Sequence, residues 1–184
     1  MDKNVDISLT VNGEKITKRV EARTNLVDFL RYDVGLTGSH VGCEHGVCGA
    51  CTIRVDGRIV RGCLMAAAQA DGADVWTIEG VTETGEIRAL QDAFVERNAL
   101  QCGFCTPGML LTIAELMERK PDASRDEIRE YISGNYCRCT GYQAIVDAVE
   151  MTRGTMGKMG ASAGKTGASA GKTGASAGKK GASA

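Results

Sequence analysis

Eight cysteines carry the chemistry that this 184-residue chain offers, and they fall into two sets of four. Cys43, Cys48, Cys51 and Cys63 follow C-x4-C-x2-C-x11-C; Cys102, Cys105, Cys137 and Cys139 follow C-x2-C-x31-C-x-C. Four thiolates can hold one tetrahedral metal ion or an iron–sulfur cluster. The first three cysteines have the plant-type ferredoxin spacing for a [2Fe–2S] cluster, with Cys63 closing the set. Gly42, Gly46 and Gly49 give that loop the freedom to wrap a cluster and turn backbone N–H groups towards its sulfurs. Structural zinc fits this set poorly, because zinc ligands usually come as two short knuckles and an eleven-residue gap is not one. For the second set spacing alone leaves zinc open beside iron–sulfur. His40 and His45 flank the first set, but a Rieske centre takes two histidines and Cys43-Glu-His45 is the sole Cys-x-His pair, so both are expected to pack loops. No paired carboxylate, serine elbow or Cys–His couple stands out, so no catalytic residue is assigned. Two redox centres without a substrate pocket describe an electron relay.

The elements that must position these thiols are readable in outline. Asp6 to Val11 alternates, Asn12-Gly13 is a type I′ turn signal, and Ile16 to Val20 returns, which predicts a hairpin. Leu26, Val27, Phe29 and Leu30 form a short helical stripe that Gly35 can end. A second hairpin is predicted over Thr52–Val55 and Arg58–Arg61 across Asp56-Gly57, with a closing strand over Val75–Ile78. From Glu86 the period becomes helical, with stripes at Ile87–Val95, Met109–Met117 and Ile145–Met151, and Ser124-Arg-Asp-Glu127 is a capping box for another helix that Gly134 can stop. Trp76 and the methionines of these stripes read as core. Thr106 and Thr140 read as N-caps, with Pro107 at a first helical position. Both cysteine pairs of the second set would then lie at helix N-termini, where free N–H groups and the helix dipole stabilise an anionic centre. The order helix–cysteines–helix occurs twice, which predicts two helical hairpins about a pseudo-twofold axis.

Eight cysteines would suit disulfides in a secreted chain, but the N-terminus shows no apolar leader and no stretch approaches membrane-spanning length. Reduced ligands in a cytoplasmic protein are the expectation. Five lysines and no acid lie after Arg153, which leaves residues 1–153 with 17 basic and 23 acidic side chains, net −6. That balance argues against nucleic-acid binding. From about Gly154 the chain repeats Gly-Ala-Ser-Ala-Gly-Lys-Thr with nothing to bury, and a disordered tail is expected. Its Gly-Lys-Thr triplets lack the earlier glycine and the preceding strand of a phosphate loop.

Cys43-Glu-His-Gly-Val-Cys-Gly-Ala-Cys51, Gln101-Cys-Gly-Phe-Cys-Thr-Pro-Gly108 and Cys137-Arg-Cys-Thr-Gly-Tyr142 together resemble the iron–sulfur subunit of the molybdenum hydroxylases, the xanthine dehydrogenase and aldehyde oxidase family. The resemblance covers roughly residues 4–153 with all eight cysteines in register. It implies an α+β chain: a β-grasp 2Fe–2S ferredoxin-like domain over 1–81, an all-α four-helix 2Fe–2S domain over 82–154, and the tail over 155–184. It implies one [2Fe–2S] cluster in each domain, held by the eight cysteines. Molybdopterin would lie on a large partner subunit close to Gln101 and Cys139, and FAD on a medium subunit near the ferredoxin-like cluster, in a dimer of heterotrimers. Glu44-His45-Gly46 is closer to small subunits of aldehyde- and heterocycle-oxidising enzymes than to those of carbon monoxide dehydrogenase. A freestanding two-cluster carrier and a zinc-stabilised interaction module are the alternatives.

Overall fold

The computed structural model describes residues 3–153, so the repetitive tail and its expected disorder lie outside the described residues. Two apolar cores organise the chain, one beneath a mixed sheet and one among helices.

β1 (Asn4–Val11) and β2 (Glu14–Glu21) form the first expected hairpin, pairing Asn4 with Glu21 through Val11 with Glu14. Ile7, Leu9 and Val11 alternate inward, as one buried face demands. α1 (Leu26–Asp28) is capped by the Asn25 side chain on the Asp28 N–H. It runs into a π-type turn, Phe29–Val34, which ends on left-handed Gly35. Leu26, Val27, Phe29 and Leu30 are fully buried against the sheet. β3 (Thr52–Val55) and β4 (Arg58–Arg61) make the second hairpin. With β5 (Asp74–Trp76) the sheet order is β2-β1-β5-β3-β4, in which only β1 and β5 run parallel.

The closing strand is shorter than its sequence predicts. Asn12, in the first hairpin turn, donates its backbone N–H to Val75 and accepts the Thr77 N–H on Oδ1 at 2.9 Å. Thr77 thus leaves the ladder, and α2 (Ile78–Glu83) starts where the strand was expected to continue. α3 (Arg88–Glu96), α4 (Thr106–Arg119), α5 (Arg125–Ile132) and α6 (Gln143–Thr152) occupy the four predicted helical stretches, so α2 makes five helices after the sheet. The capping box forms: Ser124 Oγ accepts from the Glu127 N–H, and the Glu127 carboxylate accepts from the Ser124 N–H at 2.7 Å. α5 stops at Ile132, two residues before Gly134.

α4 is buried all round from Gly108 to Met117, because it lies between the other helices and the outer face of β3 and β4. α3 packs on α6 and α4 on α5. The closest packing therefore joins helices that no cysteine loop connects, and the two cysteine loops meet at one end. Trp76 is half-buried against this helical core. No helix of the described residues is long and apolar enough to cross a membrane.

Candidate metal centres

Each predicted set of four comes together in space. In the first, the Cys48 N–H donates to Cys43 Sγ at 3.4 Å. With the His45 N–H adding to it, this donor holds the Cys43 thiol down at about 6, below its usual 9.0. Cys51 is pinned by Gly62, whose N–H donates to its carbonyl at 3.0 Å, and Cys63 follows directly. Burial pushes the Cys51 thiol up to about 11, the Cys63 backbone N–H opposing it.

In the second set the structure pairs Cys102 with Cys139, Sγ to Sγ at 3.5 Å, and Cys105 with Cys137. Cys102 and Cys139 are exposed, Cys105 and Cys137 half-buried. Burial, then the neighbouring Cys137 thiol, pushes Cys105 up to about 12. Cys102 is lowered by the Phe104 N–H, then by the hydrogen bond from Cys139, which is itself raised by that bond. Burial works against the Cys137 thiolate, but the Thr140 hydroxyl and backbone N–H groups outweigh it and the net shift is down. Each set thus joins a stabilised thiolate to a buried thiol that titrates late, the latter asking for cationic ligation to ionise.

The threonines act differently from the sequence expectation. α4 begins at Thr106 with Cys105 as its N-cap, and no side chain caps it; Thr106 Oγ1 is buried without a partner. Thr140 is not the α6 cap, since left-handed Tyr142 holds that place. Its hydroxyl lies 3.1 Å from Cys137 Sγ and accepts the Tyr142 N–H, while the Tyr142 phenol accepts the Cys137 N–H at 2.8 Å. The C-x-C turn is therefore held by its own side chains, and of the four ligands only Cys105 sits directly at a helix start.

The residues present fit iron–sulfur clusters. A Cβ on Gly42 would stand 3.1 Å from Cys48 Sγ, so that glycine keeps the cradle open as expected. Gly46 and Gly49 serve other contacts. A Cβ on Gly46 would strike Leu64, and one on Gly49, at φ +74°, would lie 2.6 Å from the Gly134 carbonyl oxygen. Gly49 instead lets two loops touch. Among the described residues, no three His, Cys, Asp or Glu side chains gather as a single-ion site.

The seam between the two sets was missed in sequence. The Tyr136 N–H donates to the Cys48 carbonyl at 2.8 Å, so one hydrogen bond separates Cys48 from the residue before Cys137. Buried Asn135 donates to the Gly49 carbonyl at 3.2 Å and accepts from Thr112 at 3.1 Å. Arg61 donates to the Gly134 carbonyl at 2.8 Å and to Thr52. The first turn of α4 presses on the same spot, where a Cβ on Gly108 would lie 2.3 Å from the Gly49 carbonyl oxygen. The one available signal was Asn135, a polar side chain immediately ahead of a ligand pair. His40 is half-buried and stacks on Phe104 with ring centroids 4.6 Å apart; among the described residues His45 has no ring stacked on it. Gln101 is exposed beside Cys102, and among the described residues it satisfies no buried backbone group.

Known proteins with this sequence pattern agree with the geometry. The family described as "2Fe-2S iron-sulfur cluster binding domain" matches residues 9–76, and the one described as "[2Fe-2S] binding domain" matches residues 77–150. The gamma subunit of caffeine dehydrogenase from Pseudomonas sp. (strain CBB1) is 57% identical over 147 residues, 78% of this chain and 88% of that one. The small subunit of nicotine 6-hydroxylase from Paenarthrobacter nicotinovorans is 52% identical over 153 residues, 83% of this chain and 92% of that one. A chain of quinoline 2-oxidoreductase from Pseudomonas putida 86 superposes with a TM-score of 0.79 at 47% identity, covering 90% of this chain and all of that one. With both halves matched, and with thiols, seam and fold in agreement, the chain belongs to the small iron–sulfur subunits of the molybdenum hydroxylases and is the electron-transfer part of an oxidoreductase.

Proposed function

We propose that this chain wires a molybdopterin-bearing large subunit to an FAD-bearing medium subunit in a cytoplasmic hydroxylase built as a dimer of heterotrimers. Cys43, Cys48, Cys51 and Cys63 would hold one [2Fe–2S] cluster and Cys102, Cys105, Cys137 and Cys139 the other, in a β-grasp domain over 1–81 and a four-helix domain over 82–154. The clusters, when bound, supply one-electron storage. The chain's own contribution is to hold them at a fixed mutual distance, with the Cys102 and Cys139 edge left open to a partner.

The observation that carries this reading is the single hydrogen bond from the Tyr136 N–H to the Cys48 carbonyl. It makes a short bonded bridge between a ligand of one set and the neighbour of a ligand of the other. A zinc module has no use for such a bridge. Exposed apolar side chains flank both ends: Leu100, Phe104 and Tyr136 beside the second set, Val47 and Leu64 beside the first. Large exposed apolar side chains rimming a site mark docking surfaces, and two of them suit two partners. The relatives named above act on caffeine, nicotine and quinoline by their titles, so a nitrogen heterocycle is the substrate class proposed for the complex.

Co-expression with its neighbouring subunits tests this directly. The purified complex should contain two irons and two acid-labile sulfides per cluster, together with molybdenum and flavin, and dithionite should produce two separable S = 1/2 signals. Cys51→Ser should damage one signal and leave the other. A colourless chain that copurifies with zinc and no sulfide would overturn the proposal.

A further inference from the structure

His40 belongs to the first cysteine loop by its backbone, since its N–H donates to the Ala50 carbonyl at 3.2 Å. Its ring belongs to the second. Nδ1 lies 2.8 Å from the Phe104 carbonyl oxygen, and a carbonyl can only accept, so Nδ1 carries the proton. The ring planes are 14° from parallel, which fixes the imidazole over Phe104. Phe104 is the last residue between Cys102 and Cys105, and its own N–H reaches the Cys102 sulfur. The carbonyl that His40 polarises is in the peptide leading into Cys105. Phe104 also lies in van der Waals range of the first loop, 3.6 Å from where a Gly42 Cβ would stand. Among the described residues no other hydrogen-bond donor reaches that carbonyl, and the relay outlined above does not use this histidine.

We propose that His40 is a positioning residue of the second cluster, a donor reaching from the first cysteine loop that holds the Cys102–Cys105 turn in place and favours the cluster's reduced state. This rests on the two-cluster reading. Its physical basis is the hydrogen-bond control of iron–sulfur potentials. An N–H aimed at the ligand loop places a positive partial charge near the site where an electron adds charge. Removing that donor disfavours reduction of the second cluster and leaves the first, which keeps the His40 backbone bond to Ala50, unchanged.

His40→Phe keeps an aromatic ring for stacking and removes the donor; His40→Asn keeps a donor at the Nδ1 position and removes the ring. Both are compared with wild type in the intact complex by redox titration of the two S = 1/2 signals. His40→Phe should shift the second signal's one-electron equilibrium about three- to tenfold towards the oxidised form, the range of one lost hydrogen bond, with the first signal unmoved. His40→Asn should return most of that shift. Both signals at wild-type potentials in His40→Phe, or equal shifts in both signals, would overturn the assignment. Should His40→Phe lose the second cluster, His40→Asn decides, retention of the second signal supporting the role and its loss refuting it. Wild-type complex with fewer than two such signals refutes the two-cluster reading itself, whereas two wild-type signals with unaltered variants refute only the role of His40.

Discussion

At the scale of single residues, the seam depends on places where a side chain cannot go. Gly49 has φ +74°, and an added Cβ would stand 2.6 Å from the Gly134 carbonyl and 2.8 Å from the Asn135 amide. Backbone strain and backbone clash coincide there. Gly49→Ala is therefore expected to lower the melting temperature of the complex and to weaken coupling between the clusters, measured as slower equilibration of the two reduced signals. Glu115 matters instead for what its side chain reaches. It is a buried acid on α4 that accepts from the Ile59 N–H at 3.1 Å, from Arg119 at 2.8 Å and from the Tyr131 phenol at 2.5 Å, so it ties helices to sheet. Burial first, then that carboxylate, pushes Tyr131 up to about 12 from 10.0. A group whose acid strength is lowered by folding stabilises the fold below its unfolded value and loses that contribution as pH climbs through the folded one. Tyr131→Phe should cost about 1–2 kcal/mol at neutral pH, because Glu115 keeps two other donors. The variant should also lose less stability than wild type between pH 10 and 12 in denaturant titrations.

Among the elements, α5 makes the clearest case for local rules. Its capping box joins Ser124 to Glu127, and the Lys120 ammonium, then the Ser124 N–H, holds the Glu127 carboxyl down at about 2. The sign is opposite to that of Tyr131: the contribution is whole above the ordinary 4.5 and fades as pH falls towards 2. Ser124→Ala should cost about 0.5–2 kcal/mol, seen as faster amide exchange over the first turn of α5. This element was legible because every partner lies within a few residues. The two hairpins were legible for the same reason, Asn12-Gly13 and Asp56-Gly57 fixing both turns. Asn12 was only half read, since its side chain ends β5 from 65 residues away and no local pattern shows that. The membership of each cysteine set followed from spacing and resemblance, but the pairing of Cys102 with Cys139 depends on α3 lying on α6, a tertiary choice. Thr140 read as a cap because Thr before a helical stripe usually is one. The tight C-x-C turn instead gives its hydroxyl a sulfur to bond.

For the molecule as a whole, the order of parts along one direction matters most. An exposed edge of Cys102 and Cys139 leads to the seam at Tyr136 and Cys48, and then to the glycine-rich loop around Cys43. Gln101 stands on that exposed edge, its amide unbonded among the described residues, and an amide offers a heterocycle both a donor and an acceptor. If the molybdopterin subunit docks there, Gln101 and the Cys139 sulfur are the groups that meet its cofactor, and the electron path into this chain is a single contact. Gln101→Ala removes the amide without touching a ligand or a buried contact. Iron content, both reduced signals and chain stability should match wild type. Reduction of both clusters by substrate should slow about tenfold, the effect of roughly 1.4 kcal/mol on a barrier, or molybdenum retention should fall. Rapid mixing with substrate, followed at the cluster absorbance, separates chemistry from transfer, because a dye that takes electrons directly from the large subunit would still be reduced at the wild-type rate. Wild-type cluster reduction together with wild-type molybdenum content would remove Gln101 from the contact and leave the other flank, Val47 and Leu64, as the face to test for the incoming electron.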